Sequence, residues 1–182
     1  VERARARAGA LDYGSPGIGS PHHLAAERLA RDLGLKLNHV PYRGMAPVVN
    51  DLVAGTVEAA VLDMAAGAEV IRSGRVRPLA LLSPERLPAI PGVPTAAEAL
   101  GLRGFEAYAW QGLTAPARTP DDVCARLTAE LAASLADPAV QGRMREIGLD
   151  PLPGGPEEQR RLIAAERGIY WPLIRQLGLS LD

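Results

Sequence analysis

The residues with the clearest chemical meaning lie in a glycine- and serine-rich segment, YGSPGIGSPH, at positions 13–22. Ser20-Pro21 is typical of a helix start, with serine as the N-cap and proline as the first helical residue. Backbone N–H groups at such a terminus lack helical acceptors, and the helix dipole favours an anion beside them. The hydroxyls of Ser15 and Ser20 add two donors. We therefore predict outward-pointing amides and an anion site at Ser15–Ser20; the alternative is a tight turn with an N-cap and no ligand.

Common loop motifs do not account for this segment. A phosphate-binding P-loop ends in Gly-Lys-Ser/Thr, which is absent here. A dinucleotide fingerprint needs a third glycine at the position that His22 occupies. A nucleophile elbow needs glycine two residues before and after its serine. Ser15 has Tyr13 at one of these positions, and Ser20 has a glycine at neither of them.

The histidines do not predict a metal site. His22 and His23 are adjacent, so they point in different directions on a helix, and the chain contains only His39 besides. We expect His39 to be structural, within a strand. His23 falls in the first helical turn, where it can face the loop and donate a hydrogen bond to it.

An enzymatic interpretation also fits the residue types. A Ser–His–Asp triad needs a serine, a base and an acid that the fold brings together, and Ser15 or Ser20 with His23 and Asp63 satisfies the spacing. The same residues serve binding without chemistry equally well. An α/β hydrolase or transferase that uses a Ser/His pair therefore stays open as an alternative.

The elements that must position these residues alternate between strand and helix. Apolar runs predict strands, and N-caps and closing glycines bound the helices between them. The expected strands are 11–15, 37–42, 57–63 and 76–83, and the expected helices are 20–34, 46–54 and 65–73. This alternation is typical of an α/β fold, with a parallel sheet, helices on both faces and right-handed crossovers.

The predicted topology gathers several loops at one edge of the sheet. The carboxyl ends of parallel strands lie at the same edge, and ligands bind outside it. The loops expected around one cleft are Ser15–Ser20, Tyr42–Gly44, Asp63–Ala66 and Ser83. Asp63 there either caps the helix that follows or accepts a hydrogen bond from a ligand. Arg43 is expected to be solvated.

The second half of the chain has a different pattern. Prolines between residues 84 and 94 predict a stiff surface connection, and Thr95–Glu98 is a capping box that opens a short helix. From about residue 119 the pattern is mostly helical, and Pro172 is expected to kink the last helix. Because this part lacks partner strands, we expect it to pack on something that the first 100 residues do not supply.

Composition excludes several classes of protein. The 182 residues carry a net charge of −1, with 47% hydrophobic and 23% charged residues, which disfavours a basic nucleic-acid binder. The single cysteine, Cys124, excludes a disulfide framework within the chain. No apolar run approaches the roughly 18 residues that span a bilayer. The chain starts without methionine, and we expect it to be a piece of a longer protein.

Segments along almost the whole chain, roughly residues 8–182, resemble the Bug family, the substrate-binding proteins of tripartite tricarboxylate transporters. The matching segments are YGSxGxGSxxHL at 13–24, VPYRG at 40–44, GxVRPLA at 74–80, PGVPT at 91–95 and WQGLxAPAxTP at 110–120. Their order and spacing agree with the family. A single motif of this kind is weak evidence for membership of the family, whereas five motifs in the same order are strong evidence for it.

The resemblance implies a type II periplasmic-binding-protein-like fold of two α/β lobes. Residues 1–108 would form the second lobe, complete with its parallel sheet. Residues 109–182 would be the crossover and a mainly helical return into the first lobe. Family members are longer at the N-terminus, so most of the first lobe would be missing from this chain.

The resemblance also implies a function. It indicates an extracytoplasmic, periplasmic protein without catalysis or cofactor, which captures a small organic acid or amino-acid-like carboxylate for membrane transporter subunits. One loop from each lobe holds the carboxylate in the family. The ligand-binding residues implied or expected in this chain are Ser15, Gly17, Ile18, Gly19, Ser20, His23, Tyr42 and Asp63. A further alternative is an effector-sensing domain of a transcription regulator, which can share the two-lobe fold.

Overall fold

The computed structural model describes residues 1–146, 148–152 and 154–180. The chain divides into two compact units. The first contains Val1–Ala109 with the segment from Leu173 onwards, and the second contains Trp110–Pro172. The assignment of residues 1–108 and 109–182 to two lobes stays a prediction.

A three-stranded parallel sheet lies in the first unit. Its strands are β1 (Asp12–Ser15), β2 (Asn38–Pro41) and β3 (Ala59–Ala60), in the order β2-β1-β3. β1 is central, and the register sets Tyr13 against His39 on one side and Ala59 on the other. The predicted parallel α/β fold is therefore confirmed.

The helices of the first unit begin and end close to where their caps predict. They are α1 (Glu2–Ala6), α2 (Pro21–Asp32), α3 (Met45–Ala54), α4 (Met64–Arg72) and α5 (Ala96–Leu100). Ser20 caps α2, because its Oγ accepts the His23 N–H at 3.2 Å. Gly55 ends α3 with a φ of 79°, a left-handed conformation that favours glycine. The capping box at Thr95 is confirmed in both directions.

Two helices cover opposite faces of the sheet, as predicted. Tyr13 reaches Glu27 of α2, whereas a Cβ atom on Gly14 would lie 3.0 Å from Val48 of α3. Neighbouring residues of a strand face opposite sides, so α2 and α3 pack on different faces of β1. Tyr13 and Val48 are almost fully buried, and the core of this unit lies around them.

The predicted fourth strand is wrong. Residues 76–83 form no ladder, and Leu81 makes only an isolated parallel bridge to Thr95. Pro78 contributes to this outcome, since proline has no N–H to donate to a ladder. The strand predicted at 57–63 is reduced to the two residues of β3, which pairs with β1 at the edge of the described sheet.

The second unit is helical. It holds α6 (Asp121–Ala136), α7 (Pro138–Glu146) and the larger part of α8 (Pro156–Gln176). The Trp110 indole N–H donates to Glu166 of α8 at 2.8 Å. Pro172 lies inside α8, and the kink predicted there stays a prediction. Among the described residues, no helix combines the length and the apolar character that crossing a membrane requires.

Candidate functional site

The loop between β1 and α2, residues 16–20, is here called the glycine loop. Two backbone hydrogen bonds attach the start of this loop and the last residue of β1 to the chain segment after β2. Tyr42 N–H donates to the Ser15 carbonyl at 2.9 Å, and Gly44 N–H donates to the Pro16 carbonyl at 3.1 Å. Gly17 has a φ of 153°, which residues with a side chain rarely adopt. The expected meeting of the first two strand ends at one edge is thus observed.

Most backbone amides of the glycine loop are already paired. Gly17 N–H donates to Ser15 Oγ at 3.3 Å, and Ser20 N–H donates to the Gly17 carbonyl at 3.3 Å. Gly19 N–H donates to Nδ1 of His23 at 3.0 Å. The expectation that these amides point outward is therefore wrong for Gly17, Gly19 and Ser20, because the turn closes on itself.

Two amides of this turn remain unpaired. Within the described part of the chain, the N–H groups of Ile18 and His22 have no acceptor. Ile18 lies at the tip of the loop and is 53% exposed. His22 is the second residue of α2, where the positive end of the helix dipole lies. The amides left unpaired at this turn are therefore those of Ile18 and His22 rather than those of the glycines.

Ser15 lies beneath the loop and not on its surface. Its side chain is completely buried, and Oγ lies 2.7 Å from Nε2 of His39 and 3.1 Å from the Gly17 carbonyl. Ser15 therefore holds the base of the turn. A direct hydrogen bond from Ser15 to a ligand would need these contacts to open.

Three rings stack under the glycine loop. The ring centroids of His23 and His39 are 3.9 Å apart, and those of His39 and Tyr13 are 5.0 Å apart. The Tyr13 hydroxyl donates to Glu27 of α2 at 2.5 Å, and burial together with this bond raises the pKa of Tyr13. Burial lowers the pKa of His23, and burial with the nearby His23 lowers the pKa of His39 to about 4. Both imidazoles are therefore neutral near pH 7.

This stack makes stability depend on pH. The pKa of His39 in the folded chain is about 4, below the ordinary 6.5, so the unfolded chain takes up the proton first. The stabilising contribution is complete above pH 6.5 and is lost as the pH falls toward 4. Since His39 is only half-buried, we expect a loss of about 1–2 kcal/mol in the free energy of unfolding.

Urea unfolding of the wild type and of H39Q between pH 7 and 4.5 measures this effect. Glutamine can place a polar atom near Ser15 but does not titrate, so the difference between the two curves isolates His39. The wild type should lose stability faster than H39Q on acidification. Parallel curves would contradict the buried neutral state of this ring.

Asp63 caps a helix and also contacts the start of α2. Its Oδ1 accepts the Ala66 N–H at 2.8 Å, and its Oδ2 lies 3.3 Å from Nε2 of His22. The capping interpretation is therefore correct, and nothing in the structure tests ligand binding by Asp63. The contact with His22 brings the segment after β3 next to the glycine loop. Nδ1 of His22 is buried and has no hydrogen-bond partner among the residues that the structure describes.

Tyr42 contributes through its backbone more than through its hydroxyl. The hydroxyl donates to Asp51 of α3 at 2.7 Å, and this bond raises the pKa of Tyr42 to about 12. The Tyr42 ring also lies 3.3 Å from the position that a Cβ on Gly14 would occupy. The side chain thus braces α3 against the sheet, while the backbone supports the glycine loop. Arg43 is exposed, as expected.

The Ser/His geometry does not support catalysis. Ser15 and His39 are close enough for a nucleophile and base, but Ser15 is inaccessible and an imidazole with a pKa of about 4 is a weak base. Ser20 Oγ bonds to the backbone N–H of His23 and not to its ring. Within the described ranges, no three His, Cys, Asp or Glu side chains are grouped to hold a metal.

One site residue was missed from the sequence. His22 contacts Asp63, and its backbone amide has no acceptor among the described residues. His39 lies within β2 and supports Ser15 and His23, so its expected structural role is confirmed. The register of β1 against β2 explains why His39 contacts Ser15. Tyr13 and His39 are register partners, and Ser15 lies on the same face of the sheet as Tyr13.

Comparison with known proteins gives consistent matches. A family model described as tripartite tricarboxylate transporter family receptor matches residues 1–179. A UPF0065 protein from the tcbD-tcbE intergenic region of Pseudomonas sp. strain P51 is 39% identical over 182 residues. That alignment covers 100% of this chain and 54% of the relative, so the chain spans about half the relative's length.

Solved structures share the fold. An R. palustris protein with adipate has a TM-score of 0.88 and 32% identity, over 98% of this chain and 60% of that one. The periplasmic binding protein BugD has a TM-score of 0.82 and 33% identity, over 98% and 60%. MatC from Rhodopseudomonas palustris with bound malate has a TM-score of 0.82 and 30% identity, over 93% and 58%.

Proposed function

The chain belongs to the tripartite tricarboxylate transporter receptor family, the Bug family of solute-binding proteins, and we propose that its glycine loop binds the carboxylate of a small organic acid. The observation that carries this proposal is the pair of amides on Ile18 and His22, at the N-terminal end of α2, which have no acceptor among the described residues. Two N–H donors and the helix dipole can hold a carboxylate oxygen without a charged side chain.

The site provides one wall of a binding cleft. Two of the structural relatives were solved with adipate or malate, both dicarboxylates, which supports a ligand of this chemical class. This chain covers about 60% of those proteins, so it contains only part of the two-walled cleft. We therefore propose, for the whole protein, that it captures the solute. The other wall would close over the ligand. Contacts made only in the closed state would shift the existing equilibrium between the open and the closed state toward the closed one.

The family match supports a proposal about location and partners. We propose that the protein works in the periplasm, as BugD does, and delivers its ligand to the membrane subunits of the transporter. It belongs to a family of receptors and not to a family of enzymes. The buried Ser15 agrees with binding rather than with nucleophilic catalysis.

Titration calorimetry on the full-length protein tests this function. Malate and adipate are the probes, an amino-acid carboxylate such as aspartate extends the series, and adipamide is the neutral control. We expect at least one carboxylate to bind in the micromolar range, about −8 kcal/mol, with adipamide at least about a hundredfold weaker. Equal affinity for adipate and adipamide, or no binding of any carboxylate, would contradict the proposal.

A further inference from the structure

His23 is the buried ring that touches the glycine loop directly. It is 4% exposed and lies in the first turn of α2, three residues after the N-cap. Its own N–H is occupied by Ser20 Oγ, and its Nδ1 accepts the Gly19 N–H at 3.0 Å. The ring therefore faces the loop at Gly19.

We propose that His23 is a positioning residue, whose neutral Nδ1 holds the Gly19 amide and thereby keeps the neighbouring Ile18 N–H aimed at a carboxylate. This inference rests on the proposed function and deepens it. It differs from the expectation that His23 donates a hydrogen bond to the loop. An imidazole nitrogen that accepts a bond carries no proton, so the proton of neutral His23 lies on Nε2.

The neighbouring rings fix the orientation of His23. His39 stacks on it at 3.9 Å with an interplanar angle of 15°, and Ser15 Oγ holds Nε2 of His39 at 2.7 Å. Rotating His23 would break the stack as well as the bond to Gly19. The loop thus rests on a chain of contacts that runs from Ser15 through His39 and His23 to Gly19.

Protonation of His23 would remove the acceptor. A charged imidazole donates from both nitrogens, so Nδ1–H and Gly19 N–H would then face each other as two donors. The described groups that face His23 are the Tyr13 phenol on β1, the His39 ring on β2 and the Glu27 carboxylate on α2. Glu27 favours the charged form, but burial opposes it more strongly, which keeps the pKa of His23 below 6.5. The acceptor is therefore present at neutral pH and lost in acid.

Two variants of the full-length protein separate positioning from packing. In H23F the ring and its stack remain but the acceptor is gone, so the affinity for malate should fall about tenfold at pH 7.5. In H23N the amide oxygen stands near the place of Nδ1, so most of the lost affinity should return. Equal weakening in H23F and H23N would overturn the inference, because packing alone would then explain both.

The pH dependence adds an independent readout. On acidification into the range where the His23 ring takes up its proton, followed by NMR of that ring, malate affinity of the wild type should fall more than that of H23N, which has no titrating group at position 23. Protonation of malate affects both proteins equally and cancels in the ratio. A constant ratio while His23 becomes protonated would overturn the inference.

A measurement without ligand distinguishes the failure of this inference from failure of the proposed function. The Gly19 amide should be protected from hydrogen exchange in the wild type and H23N, and exchange at least about tenfold faster in H23F, since one hydrogen bond is lost. If no carboxylate binds to the wild type but this pattern holds, positioning of the loop stands and the proposed ligand is wrong. If malate binds and Gly19 exchanges equally in all three proteins, the positioning role is wrong.

Discussion

Replacing Gly17 with aspartate is expected to weaken carboxylate binding at least about a hundredfold, because like charges placed together cost several kcal/mol. A side chain at this position starts 3.7 Å from the Tyr42 carbonyl oxygen, and the φ of 153° strains any residue with a Cβ. Charge repulsion and a distorted turn therefore act together. Calorimetry with malate on the full-length protein measures the loss.

Gly34→Asp is the matched control for this change. Gly34 also has a positive φ, 62°, but a Cβ there meets nothing within 4 Å, and the residue ends α2 at the other end from the loop. The control adds the same charge to the same unit, at a smaller backbone cost because aspartate tolerates the left-handed region. If G34D and G17D bind malate equally weakly, lost stability rather than the loop explains the effect.

A second pair of variants avoids backbone strain at the loop altogether. Ile18→Asp changes an exposed side chain without a glycine conformation, so the fold should not be affected. Leu79→Asp does the same at another site of the first unit, where the side chain is 67% exposed. Malate binding should be lost in I18D and kept in L79D. Wild-type affinity in I18D would show that the glycine loop is not the binding surface.

Gly14→Ala is expected to destabilise the fold by about 1–3 kcal/mol, through overpacking of the core. The new Cβ would lie 3.0 Å from Val48, 3.3 Å from Tyr42 and 3.4 Å from Val57. Val48 and Val57 are almost completely buried, and Tyr42 is tied to Asp51, so these neighbours have little room to move. Urea unfolding at pH 7 measures the change.

Gly67→Ala is the control for a methyl group added at a buried glycine. Its Cβ would meet Ile71 and Leu62 at 3.4 Å, an ordinary contact distance, and alanine favours the helix α4 by up to about 1 kcal/mol. G67A should therefore be as stable as the wild type or slightly more stable. Wild-type stability in G14A would mean that α3 lies farther from β1 than the structure indicates.

Capping residues in the sequence predicted the helix ends correctly, because a cap depends on contacts between residues close together in the chain. Ser20 before Pro21 fixed the start of α2, Gly55 fixed the end of α3, and the capping box fixed α5, because each contact spans only a few residues. The segment 76–83 was predicted wrongly for the opposite reason. Its apolar pattern suits a strand, but a strand also needs a neighbour with free donors and acceptors, and the fold provides only the bridge at Leu81.

The candidate site likewise combines features that local sequence predicts with features that depend on packing. The glycine loop and its place at the end of β1 were readable from residue types, since glycine, serine and proline have strong local preferences. Which amides are free was not readable, because Gly19 is paired by a histidine ring and Gly17 by a buried serine hydroxyl. Those bonds depend on where side chains point after packing.

The sequence by itself determined the family, the parallel α/β order and the loop that carries the proposed site, because these follow from local preferences and from ordered motifs. Only the tertiary structure decided that His39 lies against His23 and Ser15, and that His22 meets Asp63. Strand register and helix packing set those distances. Residues far apart in the chain become neighbours only when the whole core forms, so no local pattern records their contact.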